Sequence, residues 1–153
     1  MIKKIIKIII VLICMFTIFM FSSDNDVESN KKSDGVIINA YKIFLGKNLS
    51  KKEQKYYIEK YVTYVRKTAH FLIYLILGLS IISLIKEYRE VDIKAIIIAL
   101  MISVIYAASD ELHQTFIPGR SGEIRDVIID SLGSLTGIYI YYLYSKIRRK
   151  KYE

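Results

Sequence analysis

Residues 93–109 read IKAIIIALMISVIYAAS, an apolar run whose one charged residue, Lys94, lies near its beginning. As a helix this run is ~26 Å long, which approaches the ~30 Å thickness of a bilayer's hydrocarbon core. Residues 110–120 follow at once and read DELHQTFIPGR. An ionisable group at membrane depth costs roughly 2.5–3.5 kcal/mol on insertion scales. So dense a polar segment beside an apolar run therefore indicates a functional site.

Three further apolar runs of similar length lie at residues 5–21, 68–85 and 127–144. Hydrophobic residues make up 53% of the 153-residue chain and come in blocks, which is typical of membrane proteins. The sequence therefore predicts an all-α fold, an integral membrane bundle of four transmembrane helices. The first run follows two lysines as a signal peptide would, but no small-residue cleavage pattern comes after it. We therefore expect an uncleaved anchor helix.

The long link between the first two runs carries helical patterns of its own. Residues 50–53 read SKKE, a capping box, so a helix should begin near residue 51. Tyr57, Tyr61 and Val65 then recur every four residues on one face. We expect an amphipathic extracytoplasmic helix that lies at the outer interface and runs into the second crossing, with a shorter interfacial element at residues 36–45. A simple tether is the alternative.

Positive charge is concentrated at the two ends of the chain, in Lys3, Lys4, Lys7, Lys146, Arg148, Arg149, Lys150 and Lys151. Cytoplasmic segments carry the excess of Lys and Arg, so we expect a multi-pass plasma-membrane protein with both termini in the cytoplasm. The predicted division is an anchor helix (1–21), an extracytoplasmic interfacial segment (22–65), a three-helix membrane core (66–144) and a basic cytoplasmic tail (145–153).

The net charge of +8 does not indicate nucleic-acid binding, because the tyrosines lie at the ends of apolar runs rather than on a basic surface. The charge suits phosphate headgroups instead. Cys14 is the one cysteine, so no intrachain disulfide is available. The oligomeric state stays open.

Polar side chains gather at the outer end of the predicted bundle. Arg66, His70 and Tyr74 share one helical face, because four residues separate each from the next. Asp110 shares a face with His113 or Gln114 at the end of the third crossing. The fourth crossing begins with Asp126 and Asp130, also four residues apart. We therefore predict one site formed by three helices.

Two glycine-containing patterns shape this end of the bundle. Pro118 and Gly119 are typical of a turn with Pro at its second position and Gly at positive φ. That turn would present Arg120 to the site, where a guanidinium can bind phosphate or carboxylate through two hydrogen bonds. Gly133 and Gly137 predict close helix packing. Asp130 lies about one turn into the membrane and needs a partner, for which Arg66, Lys67, Arg120 or a histidine is available.

Other chemistry is compatible with the same residues. His70, Asp110, Glu111 and His113 carry suitable donor atoms for Zn²⁺ or a harder divalent ion, although their spacing matches no known metal signature. The metal and any cofactor therefore stay unknown. A serine triad of Ser109, His113 and Asp110 is disfavoured, because the three residues are too close in sequence for triad geometry.

Together these residues resemble the VanZ-like family of bacterial membrane proteins over residues 66–137. The first matching element is RKTAHFLIY at residues 66–74, and the second is SDELHQTFIPGR at residues 109–120. Asp126, Gly133 and Gly137 follow in the expected places. The chain departs from the family at Asp130, where family members usually have Asn. An extra buried carboxylate must be neutralised or paired.

The resemblance implies a cell-envelope protein of the kind associated with low-level resistance to teicoplanin in Gram-positive bacteria, and it implies no settled chemistry. One hypothesis is a protein that binds an anionic lipid headgroup or a lipid-linked cell-wall intermediate at the outer membrane face. The other is a membrane-embedded hydrolase or transferase, acting on phosphoester or amide bonds of headgroups, with or without a metal. A purely structural role is the third. Candidate catalytic residues are Asp110, Glu111 and His113; candidate binding residues are Arg66, Lys67, His70, Tyr74, Gln114, Arg120, Asp126 and Asp130.

Overall fold

A computed structural model describes residues 1–46 and 48–152, without the side chains of residues 45 and 150–152. Lys150 and Lys151 of the predicted basic tail thus lie outside the described side chains. The described residues form five helices and no strand. The helices are α1 (Ile2–Ser22), α2 (Asp26–Leu45), α3 (Lys51–Ile85), α4 (Ile93–Gln114) and α5 (Ile124–Tyr152). The predicted all-α class is confirmed.

Four of these helices, α1, α3, α4 and α5, are long and apolar enough to cross a membrane. Their outward faces leave large apolar side chains exposed, such as Leu12 and Phe16 of α1 and Met101 and Ile105 of α4. Such surfaces suit a hydrocarbon environment. The helix ends extend past the predicted crossings. In particular, α4 continues from residue 109 to Gln114, because a helix does not end where its apolar residues end.

The capping box at Ser50 and Glu53 is confirmed, and α3 runs unbroken from Lys51 into the membrane-spanning segment. α2 is longer than the predicted element at residues 36–45, because Asn25 caps its N-terminus by accepting a hydrogen bond from the Glu28 amide at 2.9 Å. α2 packs along α3, and the Tyr41 ring stacks on that of Tyr57 at 4.0 Å. The tyrosine face of α3 is therefore covered by α2.

α3 and α5 make the most extensive helix contact in the bundle. A Cβ on Gly133 would collide with the Phe71 carbonyl, and one on Gly137 would collide with the Leu75 carbonyl. Gly78 of α3 approaches the α5 backbone in the same way. The predicted close packing at Gly133 and Gly137 is confirmed, and it holds the two helices that carry His70 and Asp130.

α4 turns a stripe of small residues toward the bundle: Ala95, Ala99, Ser103 and Ala107 are fully buried. The recurrence every four residues keeps them on one helical face. The same face continues into Asp110, Glu111 and Gln114, which are also buried. The packing of α4 thus carries the polar end of the helix into the protein rather than toward lipid.

The opposite end of the bundle holds the beginning of α1 and the α3–α4 connection. Lys7 Nζ donates to the Ser83 carbonyl at 2.9 Å and to Glu87 Oε1 at 2.6 Å. This contact lowers the pKa of the Glu87 carboxyl. Lys86 Nζ lies 5.8 Å from the centre of the Tyr141 ring of α5. The beginning of α1 and the part of α5 around Tyr141 therefore lie beside this connection, away from the polar residues.

Candidate functional site

A polar cavity of about 70 Å³ lies where α4 ends and where α2 and α5 begin. Residues of α3 and of the loop between α4 and α5 complete it. Its ionisable lining residues are Asp26, Arg66, Lys67, His70, Arg120, Glu123, Asp126 and Asp130. The site thus collects candidate residues that are up to 64 positions apart in the sequence, from Arg66 to Asp130.

Arg120 reaches this cavity through the predicted turn. Gly119 has φ +80°, and the Arg120 amide donates to the Ile117 carbonyl at 3.1 Å, so residues 117–120 form a turn that needs glycine at its third position. The Arg120 side chain donates from Nη1 to Gln114 Oε1 at 2.9 Å, while its Nε–H has no partner. Burial, and next the neighbouring Arg66, lower the pKa of the guanidinium, which stays cationic.

The other two cations of the cavity are already paired. Arg66 Nη1 lies 3.3 Å from Asp26 Oδ1. Lys67 pairs with Asp126 and, at 3.6 Å, with Glu123. Among the described residues Arg120 has no carboxylate within ion-pair distance. The guanidinium of Arg120 is therefore the cation best placed to receive an anion from outside the protein.

Asp110 and Asp130 lie deeper than the paired cations, with 4% and 1% of their surface exposed. Asp110 Oδ1 and both carboxylate oxygens of Asp130 have no hydrogen-bond partner within the described part of the chain. Of the partners predicted for Asp130, His70 is present: its Nδ1 lies 3.9 Å from Asp130 Oδ1, too far for a hydrogen bond. One donor atom from each of His70, Asp110 and Asp130 lies within 4.8 Å of the others, so these three could hold a metal ion.

Glu111 ties the site loop to α4. Its Oε1 accepts a hydrogen bond from the Glu123 amide at 2.7 Å, and its Oε2 accepts one from Gln114 Nε2 at 3.3 Å. Gln114 in turn accepts from Arg120. The carboxylate of Glu111 therefore positions both ends of the loop that presents the guanidinium.

The structure turns His113 toward α1. Its ring stacks on Phe19 with 4.7 Å between the ring centres, and its Nε2 lies 3.2 Å from Ser23 Oγ, both at the end of α1. Like Asp110, Glu111 and Tyr74, His113 is not among the residues that line the polar cavity. Tyr74 is fully buried one turn beyond His70, and its hydroxyl has no hydrogen-bond partner in the described structure.

A second, apolar groove of about 170 Å³ opens beside the polar cavity, between α1, α2 and α3. Ile18, Phe21, Val36, Val65 and Ile73 form its apolar wall. Arg66, His70 and Arg120 line both the groove and the cavity. An apolar space and a polar one thus meet at three basic side chains.

Ser22 and Asp26 belong to this site and were not predicted. Ser22 is fully buried and donates to Asp110 Oδ2 at 2.8 Å, and Asp26 pairs with Arg66. The signal for them is weak, since Ser22 reads as the end of an apolar run and Asp26 as part of an acidic link. Only the packing of α1 against α4 and of α2 against α3 brings them in.

Fold and site define a multi-pass helical membrane protein with a buried polar site at one end of its bundle. The chain belongs to the VanZ/LLP1 family, whose family model matches residues 8–145. This match includes α1 and α2 and so extends beyond the resemblance over residues 66–137. A search of curated proteins and a search of solved structures each found no match.

Proposed function

We propose that the protein binds an anionic lipid headgroup or a lipid-linked cell-wall intermediate, with Arg120 as the principal contact to the anion. The main observation in support of this proposal is that the polar cavity and the apolar groove meet at Arg66, His70 and Arg120. An amphiphile has the same division, with a charged head beside an apolar chain. The headgroup would occupy the cavity and the start of the acyl or prenyl chain the groove.

The hydrogen bonding of Arg120 supports this role. Arg66 and Lys67 are neutralised by neighbouring carboxylates, whereas Arg120 faces an amide oxygen and keeps an unpartnered Nε–H. A phosphate oxygen would accept from that donor, and the lowered pKa of Arg120 means that an added negative charge is favourable there. Gln114 and Glu111 hold the guanidinium in place.

The first prediction concerns Arg120→Lys. Lysine keeps the charge but loses the planar pair of donors, and a hydrogen bond to a charged group contributes about 1.5–3 kcal/mol. We therefore expect about tenfold to hundredfold weaker retention of phosphatidylglycerol or lipid-linked wall precursor. Native mass spectrometry of the full chain in detergent measures the retention.

Arg125→Lys is the matched control, since Arg125 is exposed in the first turn of α5 and does not line the cavity. It should retain the lipids as the parent does. If Arg120→Lys and Arg125→Lys retained lipid equally well, at equal helical content, Arg120 would contribute only its charge and not a specific contact to the anion.

We also propose that this binding contributes to resistance to teicoplanin. Expression of the parent in a susceptible Gram-positive host should raise the teicoplanin concentration that inhibits growth, and Arg120→Lys should remove most of that effect. Unchanged susceptibility for every variant, at normal expression, would mean that the chain has no resistance role.

A membrane-embedded hydrolase or transferase that acts on headgroup phosphoester or amide bonds is the second candidate. The unpartnered oxygens of Asp110 and Asp130 favour it, because a binding protein for anions has no evident use for buried, uncompensated carboxylates. Glu111 is the candidate general base, and Arg120 would stabilise the developing anion. Product formation from lipid-linked precursors or phospholipids separates this function from binding.

The proposed site requires the polar end of the bundle to face outward. A reporter fused after Glu153 is expected to be cytoplasmic, and a tag at the exposed Lys31 of α2 should react with a membrane-impermeant reagent on intact cells. The reason is the excess of Lys and Arg at both chain ends. If the reporter were found outside the cell, the site would lie at the cytoplasmic face, which would contradict a role at the outer surface.

A further inference from the structure

We propose that His70, Asp110 and Asp130 bind a divalent transition-metal ion, Zn²⁺ or Mn²⁺, between α3, α4 and α5. Three different helices each supply one ligand. Their donor atoms all lie within 4.8 Å of one another. Two opposite ligands of such an ion lie roughly 4–4.5 Å apart, so side-chain movements of a few tenths of an ångström would bring the three donors into one coordination sphere.

The charge balance of the buried carboxylates supports an ion. Asp110 and Asp130 are almost fully buried, and three of their four oxygens have no hydrogen-bond partner in the described chain. Among the described residues no Lys or Arg lies within ion-pair distance of either carboxylate. Arg66 pairs with Asp26, Lys67 pairs with Asp126 and Glu123, and Arg120 donates to the neutral Gln114. A buried charge without a partner is strongly unfavourable. A divalent cation would neutralise both carboxylates at once.

Neighbouring groups orient the ligands as the surroundings of a metal site do. Ser22 Oγ at 2.8 Å and Gln114 Nε2 at 3.3 Å both donate to Asp110 Oδ2. This leaves Asp110 Oδ1 free for coordination, which is how hydrogen bonds fix a carboxylate ligand. Ser22 is fully buried, so water does not compete for its hydroxyl.

The donor set selects the class of metal. One imidazole nitrogen and two carboxylate oxygens suit Zn²⁺ or Mn²⁺ better than they suit Ca²⁺ or Mg²⁺, which prefer ligands that are all oxygen. Three protein ligands leave at least one position open, as in catalytic zinc sites. His70 and Asp130 also line the polar cavity. An oxygen of a bound headgroup would fill the open position beside Arg120; this last step alone rests on the proposed function.

The test uses the metal alone, without lipid. The full chain is purified in detergent, stripped with EDTA, resupplied with Zn²⁺, Mn²⁺, Mg²⁺ or Ca²⁺, desalted and analysed by elemental mass spectrometry. We expect about one Zn²⁺ or Mn²⁺ per chain and a metal-dependent rise in melting temperature, because an ion that binds only the folded state stabilises it. A parent chain that retains no Zn²⁺ or Mn²⁺ and melts at the same temperature with and without the ion would overturn the proposal.

Variants locate the ion. Asp110→Asn and Asp130→Asn keep the side-chain shape and should each lose at least tenfold in affinity, and Ser22→Ala should lose about 10–100-fold through misorientation of Asp110. Asp92→Asn is the matched control, because Asn caps a helix as well as Asp does and Asp92 lies at the other end of the bundle. Affinity unchanged in Asp110→Asn and Asp130→Asn would exclude this site even if the parent binds metal. Lipid retention does not enter either readout, so failure of the headgroup proposal leaves this one intact.

Discussion

Gly137→Ala combined with Gly133→Ala is expected to separate α3 from α5 and to destabilise the whole bundle. Each new Cβ would collide with a backbone carbonyl of α3, those of Phe71 and Leu75, and a backbone cannot rotate aside as a side chain can. Overpacking of this kind costs typically about 1–3 kcal/mol per site. The pair should therefore lower the melting temperature by several degrees, at roughly 2–4 °C per kcal/mol for a chain of this size. Thermal unfolding in detergent, followed by circular dichroism, measures it.

Gly35→Ala is the matched control, since a Cβ on Gly35 of α2 would meet nothing within 4 Å. Alanine is the better helix former by about 1 kcal/mol, so this variant should melt at or slightly above the parent temperature. If the Gly133→Ala/Gly137→Ala double variant melted at the same temperature as Gly35→Ala, the close approach of α3 and α5 would be contradicted.

Glu111→Gln is expected to lower headgroup turnover by about 10²–10⁴-fold, the usual contribution of a general base, and to lower lipid retention by much less. Glutamine keeps an oxygen that accepts from the Glu123 amide and loses only the weaker acceptor for Gln114 Nε2. Purified parent and variant are incubated with lipid-linked wall precursors or with phospholipids, and product and bound lipid are measured together. This prediction belongs to the hydrolase-or-transferase candidate.

His113→Ala is the informative companion variant. His113 contacts Phe19 and Ser23 at the end of α1, whereas Glu111 contacts the loop that carries Arg120, so His113→Ala should keep most of the turnover that Glu111→Gln loses. A loss in His113→Ala as large as in Glu111→Gln would assign the acid–base role to His113 after all. A parent that forms no product but binds an anionic lipid through Arg120 would remove the main support for an enzyme and leave the binding function.

The membrane-spanning segments and the helix start at Ser50 were predictable because they are local properties. Hydropathy over some twenty residues decides whether a helix can enter a bilayer, and a capping box needs only four consecutive residues. The turn at Pro118 and Gly119 was predictable for the same reason, since φ +80° at Gly119 follows from the chemistry of one residue. The extent of α2 was not, because its N-terminus depends on Asn25 in an otherwise unpatterned acidic link.

The residues of the site were likewise only partly predictable from local sequence. Its location at one end of the bundle, and the presence there of Arg66, His70, Asp110, Arg120 and Asp130, follow from where charged residues interrupt apolar runs. How helices rotate against one another is decided by contacts between distant positions, such as Ser22 and Asp110, 88 residues apart. Those contacts turn His113 toward α1, bring Ser22 to Asp110, and leave Asp110 and Asp130 facing His70 without a cation. Local pattern thus decides which residues reach the site, and side-chain packing among the five helices decides which of them meet there.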